Sequence, residues 1–190
     1  MKNAEVNTFT LHGLWPGLKT GARIPECTQG VEINPDAREV FQTMSHEWPS
    51  FTNPNKKFWE HEYNKHGYCY SAYTNTTNEP MKFFEKTLEV FHSKPYRQIY
   101  QNLEKRADNR WDYEDIHKQI EKVIGPGFQL QCIGYEGQQL LNEVHIYLDL
   151  DLSVMTNPKF SGRGCNPSKQ VTILPFDYDL RSSKVSTMLR

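Results

Sequence analysis

Residues 58–69 of the chain, Phe58-Trp-Glu-His-Glu-Tyr-Asn-Lys-His-Gly-Tyr-Cys69, hold its densest group of chemically active side chains. The segment follows Asn53-Pro54, and a capping residue before a proline is typical of a helix start. We therefore expect a helix that runs through this segment to His66 and ends at Gly67, since glycine commonly follows the last residue of a helix.

On such a helix four titratable side chains lie on one face. At about 100° per residue, Glu62, Lys65 and His66 lie about 100°, 40° and 140° around the axis from His61. Two imidazoles, a carboxylate and an ammonium placed together can supply an acid, a base and charge stabilisation at once. A solvated helix face is the ordinary alternative, because Glu62 and His66 also have the spacing of a simple helix pair.

A metal site is another interpretation, because His61-Glu62 begins like the zinc-binding motif of metalloproteases. That motif needs a second histidine four residues after the first, and Lys65 occupies that position. An ammonium group would repel a divalent cation, so we expect neither a zinc protease nor a metal in the site. His12, His61 and His66 together could still form a three-histidine site.

A second group of functional side chains lies earlier, in Thr10-Leu-His-Gly-Leu-Trp-Pro16. The alternating, β-forming residues Thr8–Leu11 predict a short strand that runs into His12. Histidines in two segments suit cleavage of RNA by its own 2′-hydroxyl, which needs a base, an acid and charge stabilisation at phosphorus. Trp15 and Phe58 could then stack on bases, and core packing is the competing interpretation for both.

Composition and charge narrow the classes of protein to which the chain can belong. The 190 residues fit one domain, and the 13% of aromatic residues excludes a disordered chain. A formal net charge of −1 argues against a strongly basic protein that coats nucleic acid, although seven histidines would become charged in acid. No apolar run approaches the roughly 20 residues that span a bilayer, so we expect no membrane segment.

Helix patterns cluster early in the chain and strand patterns cluster late, which predicts an α+β fold. Beyond the helix after Asn53-Pro54, the predicted helices begin at Asn34-Pro35, Pro80 and Asp112, with a short continuation after Pro95. The predicted strands are Phe128–Cys132, Leu141–Asp151 and Val171–Leu174. In the middle strand the residues expected to point inward are Val144, Ile146, Leu148 and Leu150.

The two histidine segments resemble the two active-site segments of the T2 family of ribonucleases, the acid endoribonucleases of vacuoles, lysosomes and secretions. Phe9–Pro16 is similar to the first segment and Phe58–Cys69 to the second. The resemblance implies an antiparallel β-sheet packed against a group of helices, in a single catalytic domain over residues 1–190. It also implies cleavage of single-stranded RNA through a 2′,3′-cyclic phosphate to 3′-phosphate ends, without a metal or cofactor. RNA is then the expected partner, and we expect a monomer that does not bind membranes.

The resemblance implies roles for the three histidines of these segments. His12 would be the general acid, His66 would be the general base and His61 would bind phosphate. Spacing alone does not distinguish the acid from the base.

Four further residues take roles from the same resemblance. Glu62 and Lys65 would polarise the phosphoryl group and stabilise the pentacovalent state. Trp15 and Phe58 would line nucleotide sites.

The four cysteines, Cys27, Cys69, Cys132 and Cys165, are widely spaced and lack a Cys-x-x-Cys zinc pattern. Two disulfides in an oxidising compartment are therefore expected, and the resemblance implies the pairs Cys27–Cys69 and Cys132–Cys165. Asn75 begins a glycosylation sequon. We expect a glycoprotein of the secretory route, extracellular or lysosomal or vacuolar, although no signal peptide begins the sequence.

The match departs from the family pattern at several positions. Tyr63 stands where the family usually has tryptophan, and Gly17 stands where many members have an aspartate used in base recognition. Members also carry a strand before the first active-site segment, whereas only 11 residues precede His12, so we expect a chain that lacks its N-terminal strand. A catalytically silent RNA-binding protein of this fold, or a truncated gene product, is the alternative to an active endoribonuclease.

Overall fold

A computed structural model of the chain describes residues 8–17, 30–34, 39–74, 79–160 and 162–174. The chain divides into two compact units, Met1–Arg97 and Gln98–Arg190. Among the described residues the first unit is helical, and the second contains a β-sheet with further helices. The predicted α+β class is therefore confirmed, and the described residues of the predicted active site all lie in the first unit.

The first unit is built from helices that bury aromatic side chains. Its helices are α1 (Glu39–Glu47), α2 (Asn55–Glu62), a π-helical turn (Tyr63–Gly67), α3 (Tyr68–Thr74), α4 (Pro80–His92) and the start of α5 (Lys94–Glu104). The buried core consists of Ile33, Phe41, Met44, Trp48, Trp59, Tyr63, Phe83, Phe84 and Leu88. Because Trp59 and Tyr63 belong to this core, packing fixes both α2 and the π-helical turn that follows it.

The prediction that the second helix ends at Gly67 was wrong. The chain continues through the π-helical turn into α3, and Gly67 lies inside a helical run. A Cβ atom at Gly67 would lie 2.7 Å from Cδ1 of Phe83 and 2.7 Å from Cδ2 of Tyr63. The glycine therefore serves the close approach of α4 to the π-helical turn, which a sequence pattern cannot distinguish from a helix stop.

The second unit combines the rest of α5 with one more helix and a four-stranded sheet. These elements are β1 (Asn109–Trp111), α6 (Tyr113–Ile124), β2 (Phe128–Tyr135), β3 (Gln138–Ile146) and β4 (Val171–Ile173). As predicted, α6 follows Asp112 and ends at Gly125, whose φ of 78° is a conformation that favours glycine. The expected Cys132–Cys165 disulfide is present and ties β2 to the segment before β4.

The sheet is mixed, which corrects the expectation of a purely antiparallel sheet. Its strand order is β1-β4-β3-β2. The β2–β3 and β1–β4 pairs are antiparallel, whereas β3 and β4 pair in parallel through Gln139 with Val171 and Leu140 with Thr172. The long connection over residues 147–170 allows this arrangement, because parallel neighbours need a crossover rather than a tight turn.

Two strand predictions differ from the structure. Thr8–Leu11 is not a strand, because the N–H of Leu11 donates to the carbonyl of Glu47 at the end of α1 instead of to a neighbouring strand. In the predicted strand Leu141–Asp151, pairing with β2 ends at Ile146. Leu150 then lies in a turn and is 68% exposed, so it does not point inward.

Candidate active site

The segment that carries His12 is held against the end of α1. The N–H of Leu11 donates to the carbonyl oxygen of Glu47 at 2.8 Å. The indole Nε1–H of Trp48 donates to the carbonyl oxygen of His12 at 2.6 Å. The backbone of this segment is thereby fixed on both sides of residue 12, while the side chain of His12 stays exposed.

Gly13 allows this segment to contact α2. A Cβ atom at position 13 would overlap the Glu62 carboxylate and the indole nitrogen of Trp15. Any side chain at this position would therefore separate the two polar groups or push the segment away from α2. The glycine after His12 is required by this close approach rather than by a turn.

Trp15 joins the two active-site segments. Its indole Nε1–H donates to Oε2 of Glu62 at 2.8 Å, and Glu62 is only 2% exposed. The Trp15 ring lies edge-on to the His12 ring at a centroid distance of 4.6 Å. It also lies 5.3 Å from the His66 ring with an interplanar angle of 31°. The indole thus contacts both imidazoles and donates a hydrogen bond to the buried carboxylate of Glu62.

The π-helical turn brings the imidazoles of His61 and His66 together. In a regular α-helix His61 and His66 would lie about 140° apart around the axis. Here the N–H of Tyr68 bonds the carbonyl of Tyr63, five residues earlier, which is the hydrogen bond of a π-helix. The wider turn reduces the angle between residues five apart, and the His61 and His66 rings lie 6.5 Å apart. His61 and His66 are therefore close together, as predicted, but a different helix type brings them there, and Glu62 is buried instead of exposed beside them.

The imidazoles of His61 and His66 are poorer proton acceptors than free histidine. Burial, with the positive charges of Lys65, His61 and His12, lowers the pKa of His66 from 6.5 to about 4. Partial burial and the Lys65 ammonium also lower the pKa of His61. His66 is therefore neutral in mildly acidic solution, in the protonation state that a general base needs.

The position of Phe58 is compatible with both interpretations that the sequence left open, base stacking and core packing. Its side chain is half-buried and packs against the aromatic core of the first unit. Its ring centroid also lies 6.3 Å from that of His12. The ring therefore packs against the core and also lies close to the imidazole of His12. Trp15, which is 41% exposed, is the more accessible of the two predicted base-stacking residues.

The other side of α2 and the π-helical turn carries two polar residues, Glu60 and Asn64, that sequence reasoning missed. Asn64 accepts a hydrogen bond from the N–H of Val31 at 2.8 Å and donates to its carbonyl at 3.0 Å. Oε1 of Glu60 accepts from the N–H of Ile33 at 3.2 Å. These bonds pair the helix with residues 30–34 as a neighbouring strand would. The only sign of these two residues in the sequence is that both are polar and lie on the side of the helix without histidines.

Two predicted features lie outside the described residues. Cys69 is disulfide-bonded, and its expected partner Cys27 is not among the described residues. Asn75, the asparagine of the predicted glycosylation sequon, also lies outside the described residues. In the part of the chain that the structure describes, no group of three or more His, Cys, Asp or Glu residues is placed to hold a metal ion. No helix formed by these residues is long and apolar enough to cross a membrane.

The model of the ribonuclease T2 family matches residues 1–165. The chain belongs to the ribonuclease T2 family. This T2-type endoribonuclease is 31% identical to the ribonuclease T2 of Danio rerio over 174 residues, which are 88% of the chain and 67% of the relative.

Solved structures of this fold also align with the T2-type chain. The crystal structure of human RNase T2 has a TM-score of 0.69 and 23% identity, covering 89% of the chain and 86% of that structure. The structure of RNase NT in complex with 5′-AMP has a TM-score of 0.70 and 22% identity, with 92% of each chain covered. At these identities the structures establish the fold.

Proposed function

We propose that this T2 ribonuclease cleaves single-stranded RNA by transphosphorylation, without a metal ion, and then hydrolyses the 2′,3′-cyclic phosphate to a 3′-phosphate. The observation that carries the proposal is the contact of one indole, Trp15, with His12, His66 and the buried Glu62. Two segments that lie far apart in the sequence thereby bring two imidazoles and a carboxylate around one indole. A reaction with two proton transfers at a phosphodiester needs this set of groups.

His66 would take the proton from the ribose 2′-hydroxyl. The 2′-oxygen attacks phosphorus, and the bond from phosphorus to the 5′-oxygen of the next nucleotide breaks. The low pKa of His66 supports this assignment, because the base must be neutral before the proton is taken. Its partly buried position limits competition from water for the same imidazole.

His12 would give a proton to the departing 5′-oxygen. Its exposed side chain supports this role, because the leaving nucleotide must reach it from solvent. In the second step the roles reverse. His12 takes a proton from water, the water oxygen attacks the cyclic phosphate, and His66 returns its proton to the 2′-oxygen.

The remaining polar groups would stabilise the charge that develops at phosphorus. Lys65 and His61 are exposed beside His66 and would contact the non-bridging oxygens. Glu62 is held by the Trp15 indole, which supports an orienting role at the phosphoryl group. The exposed face of Trp15 and the ring of Phe58 would contact bases.

One experiment tests the proposal against its alternatives. Purified protein is incubated with RNA and with DNA at about pH 5, with and without EDTA, beside His12→Ala and His66→Ala. The expected result is cleavage of RNA alone, unchanged by EDTA and lost by at least 100-fold in both variants. Loss with EDTA would indicate a metal-dependent hydrolase, and RNA binding without cleavage by the parent would indicate a catalytically silent protein.

We further propose that the ribonuclease is a monomer of the secretory route. The Cys132–Cys165 disulfide and the bonded state of Cys69 support the secretory route, because disulfides persist in oxidising compartments. Intact mass before and after reduction, and after glycosidase treatment for Asn75, tests the disulfides and the glycan. Light scattering of the purified protein tests the monomer, and a dimer mass would contradict it.

A further inference from the structure

We propose that Trp48 is a positioning residue for His12, and that its indole N–H sets the place from which His12 donates its proton. The proposal rests on the proposed function, because it takes His12 as the general acid. The contact that supports the proposal is the hydrogen bond from Nε1 of Trp48 to the carbonyl oxygen of His12 at 2.6 Å. A bond to the backbone of the acid fixes its Cα position without occupying the imidazole.

The Trp48 ring cannot follow a shift of the His12 segment. Its side chain has 0% exposure in the core of the first unit. Its ring centroid lies 5.7 Å from that of Phe84 and 6.3 Å from that of Phe83, both on α4. Because close-packed aromatic rings leave no room for a rotamer change, the N–H stays directed at the carbonyl of His12.

A second indole connects Trp48 to the helix that carries the other histidines. Nε1 of Trp59 donates to the carbonyl oxygen of Trp48 at 2.8 Å. Trp59 lies on α2, two residues before His61, and is 2% exposed. The main chain of Trp48 is therefore bonded to the catalytic helix, while its side chain is bonded to His12. Two buried indoles link the proposed acid to the segment that carries the proposed base.

The distance between acid and base should depend on this link. Proton donation to the leaving oxygen needs hydrogen-bond reach, and a displacement of about 1 Å can cost up to 100-fold in rate. The second bond of the segment, from the N–H of Leu11 to the carbonyl of Glu47, does not involve the indole. Removing the indole N–H should therefore displace His12 rather than release the segment.

The test uses two substrates that differ in their need for an acid. A dinucleoside monophosphate has an alkoxide leaving group that must be protonated, whereas a nucleoside 3′-(4-nitrophenyl phosphate) has a leaving group that departs unprotonated. We expect Trp48→Phe to lower kcat on the dinucleoside monophosphate about 10- to 100-fold, with KM unchanged. On the aryl ester, kcat should stay within about twofold of the parent value.

Trp111→Phe is the matched control. Nε1 of Trp111 donates to the carbonyl oxygen of Arg106 at 2.9 Å, so the same kind of bond is lost in the second unit. This control should leave kcat on both substrates unchanged. If Trp48→Phe is poorly folded by circular dichroism, benzothienylalanine at position 48 keeps the ring size, lacks the N–H and should show the same substrate dependence.

The outcomes separate this inference from the proposed function. Unchanged kcat of the position-48 variants on the dinucleoside monophosphate, or equal losses on both substrates, would overturn the positioning role. His12→Ala should itself lose the dinucleoside monophosphate activity and keep the aryl ester activity. Equal loss of both by His12→Ala would show instead that His12 is not the general acid, which overturns that part of the proposed function.

Discussion

The indole N–H of Trp15 donates to Oε2 of Glu62 at 2.8 Å, across 47 residues of sequence. Glu62 is 2% exposed, so its carboxylate depends on such donors in place of water. This bond joins the segment that carries His12 to α2. It also makes Trp15 a structural residue as well as a candidate base-stacking residue.

Replacing Trp15 should therefore affect both stability and activity. We expect Trp15→Phe to lower the free energy of unfolding by about 1.5–3 kcal/mol, the usual range for a hydrogen bond to a charged group. RNA cleavage should fall about tenfold or more, because the Glu62 carboxylate loses its orientation. Denaturant unfolding and initial rates measure the two effects. Phe160→Leu, at an aromatic residue that is 48% exposed in the second unit, is the control and should change neither.

Removing the Lys65 charge should raise the pKa of His66. Burial is the larger cause of the value of about 4, and Lys65 is the first of three positive charges that lower it further. In Lys65→Gln the imidazole should therefore titrate at higher pH, closer to its ordinary value of about 6.5. NMR titration of the His66 ring measures this directly. Lys57→Gln, which removes a charge paired with Glu60 on the same helix, should leave the His66 titration unchanged.

The pKa of His66 should also determine the acidic limb of the pH–activity profile. If His66 is the base, kcat/KM of the parent should rise with pH through about 4, as the imidazole loses its proton. In Lys65→Gln this limb should move to higher pH, in the same direction as the NMR titration. A limb that stays in place while the NMR titration moves would contradict the assignment of His66 as the base.

Tyr63→Phe should stabilise the protein. The Tyr63 side chain has 0% exposure, and its hydroxyl is buried with no hydrogen-bond partner among the described residues. Removing the hydroxyl removes an uncompensated desolvation cost, which we expect to raise the free energy of unfolding by about 1 kcal/mol. Thr87→Val is the counterpart, because the Thr87 hydroxyl donates to the carbonyl of Phe83 at 2.7 Å. That variant should be destabilised, and equal signs for the two would contradict the interpretation.

Gly67→Ala should destabilise the protein although alanine is the better helix former. The added methyl group would lie 2.7 Å from ring atoms of both Phe83 and Tyr63. We expect a loss of about 1–3 kcal/mol, the usual cost of overpacking a core. Gly134→Ala meets no atom within 4 Å and should be close to neutral. A gain in stability for Gly67→Ala would show that the ring contacts are readily relieved.

Residue patterns in the sequence predict burial well inside helices, and they fail where a strand ends or where strands distant in the sequence pair. The apolar side chains that recur at helical spacing, Phe41 and Met44 in α1 and Ile116 and Ile120 in α6, are buried, because burial follows helix geometry. Leu150 was misplaced, since an alternating pattern continues into a turn without any change in residue type. The parallel pairing of β3 with β4 depends on the path of a long connection, which leaves no periodic signal.

The site was predictable in its residue types but not in its contacts. The two histidine segments could be found because their chemistry is unusual for a helix face and a loop. The bonds from Trp15 to Glu62 and from Trp48 to His12 join residues far apart in sequence, so only the tertiary fold brings them together. The π-helical turn was missed because its residues have the same helix propensities as those of an ordinary helix.

The π-helical turn Tyr63–Gly67 acts as a one-residue insertion in an otherwise α-helical run. In a regular α-helix an extra residue would rotate everything downstream by about 100°. The wider π-helical turn takes up that residue instead, so α3 continues nearly in phase with α2 and Cys69 keeps the direction in which its sulfur is bonded. His61 and His66 can therefore stand five residues apart in the chain with their rings 6.5 Å apart, without any rotation of the helix that follows.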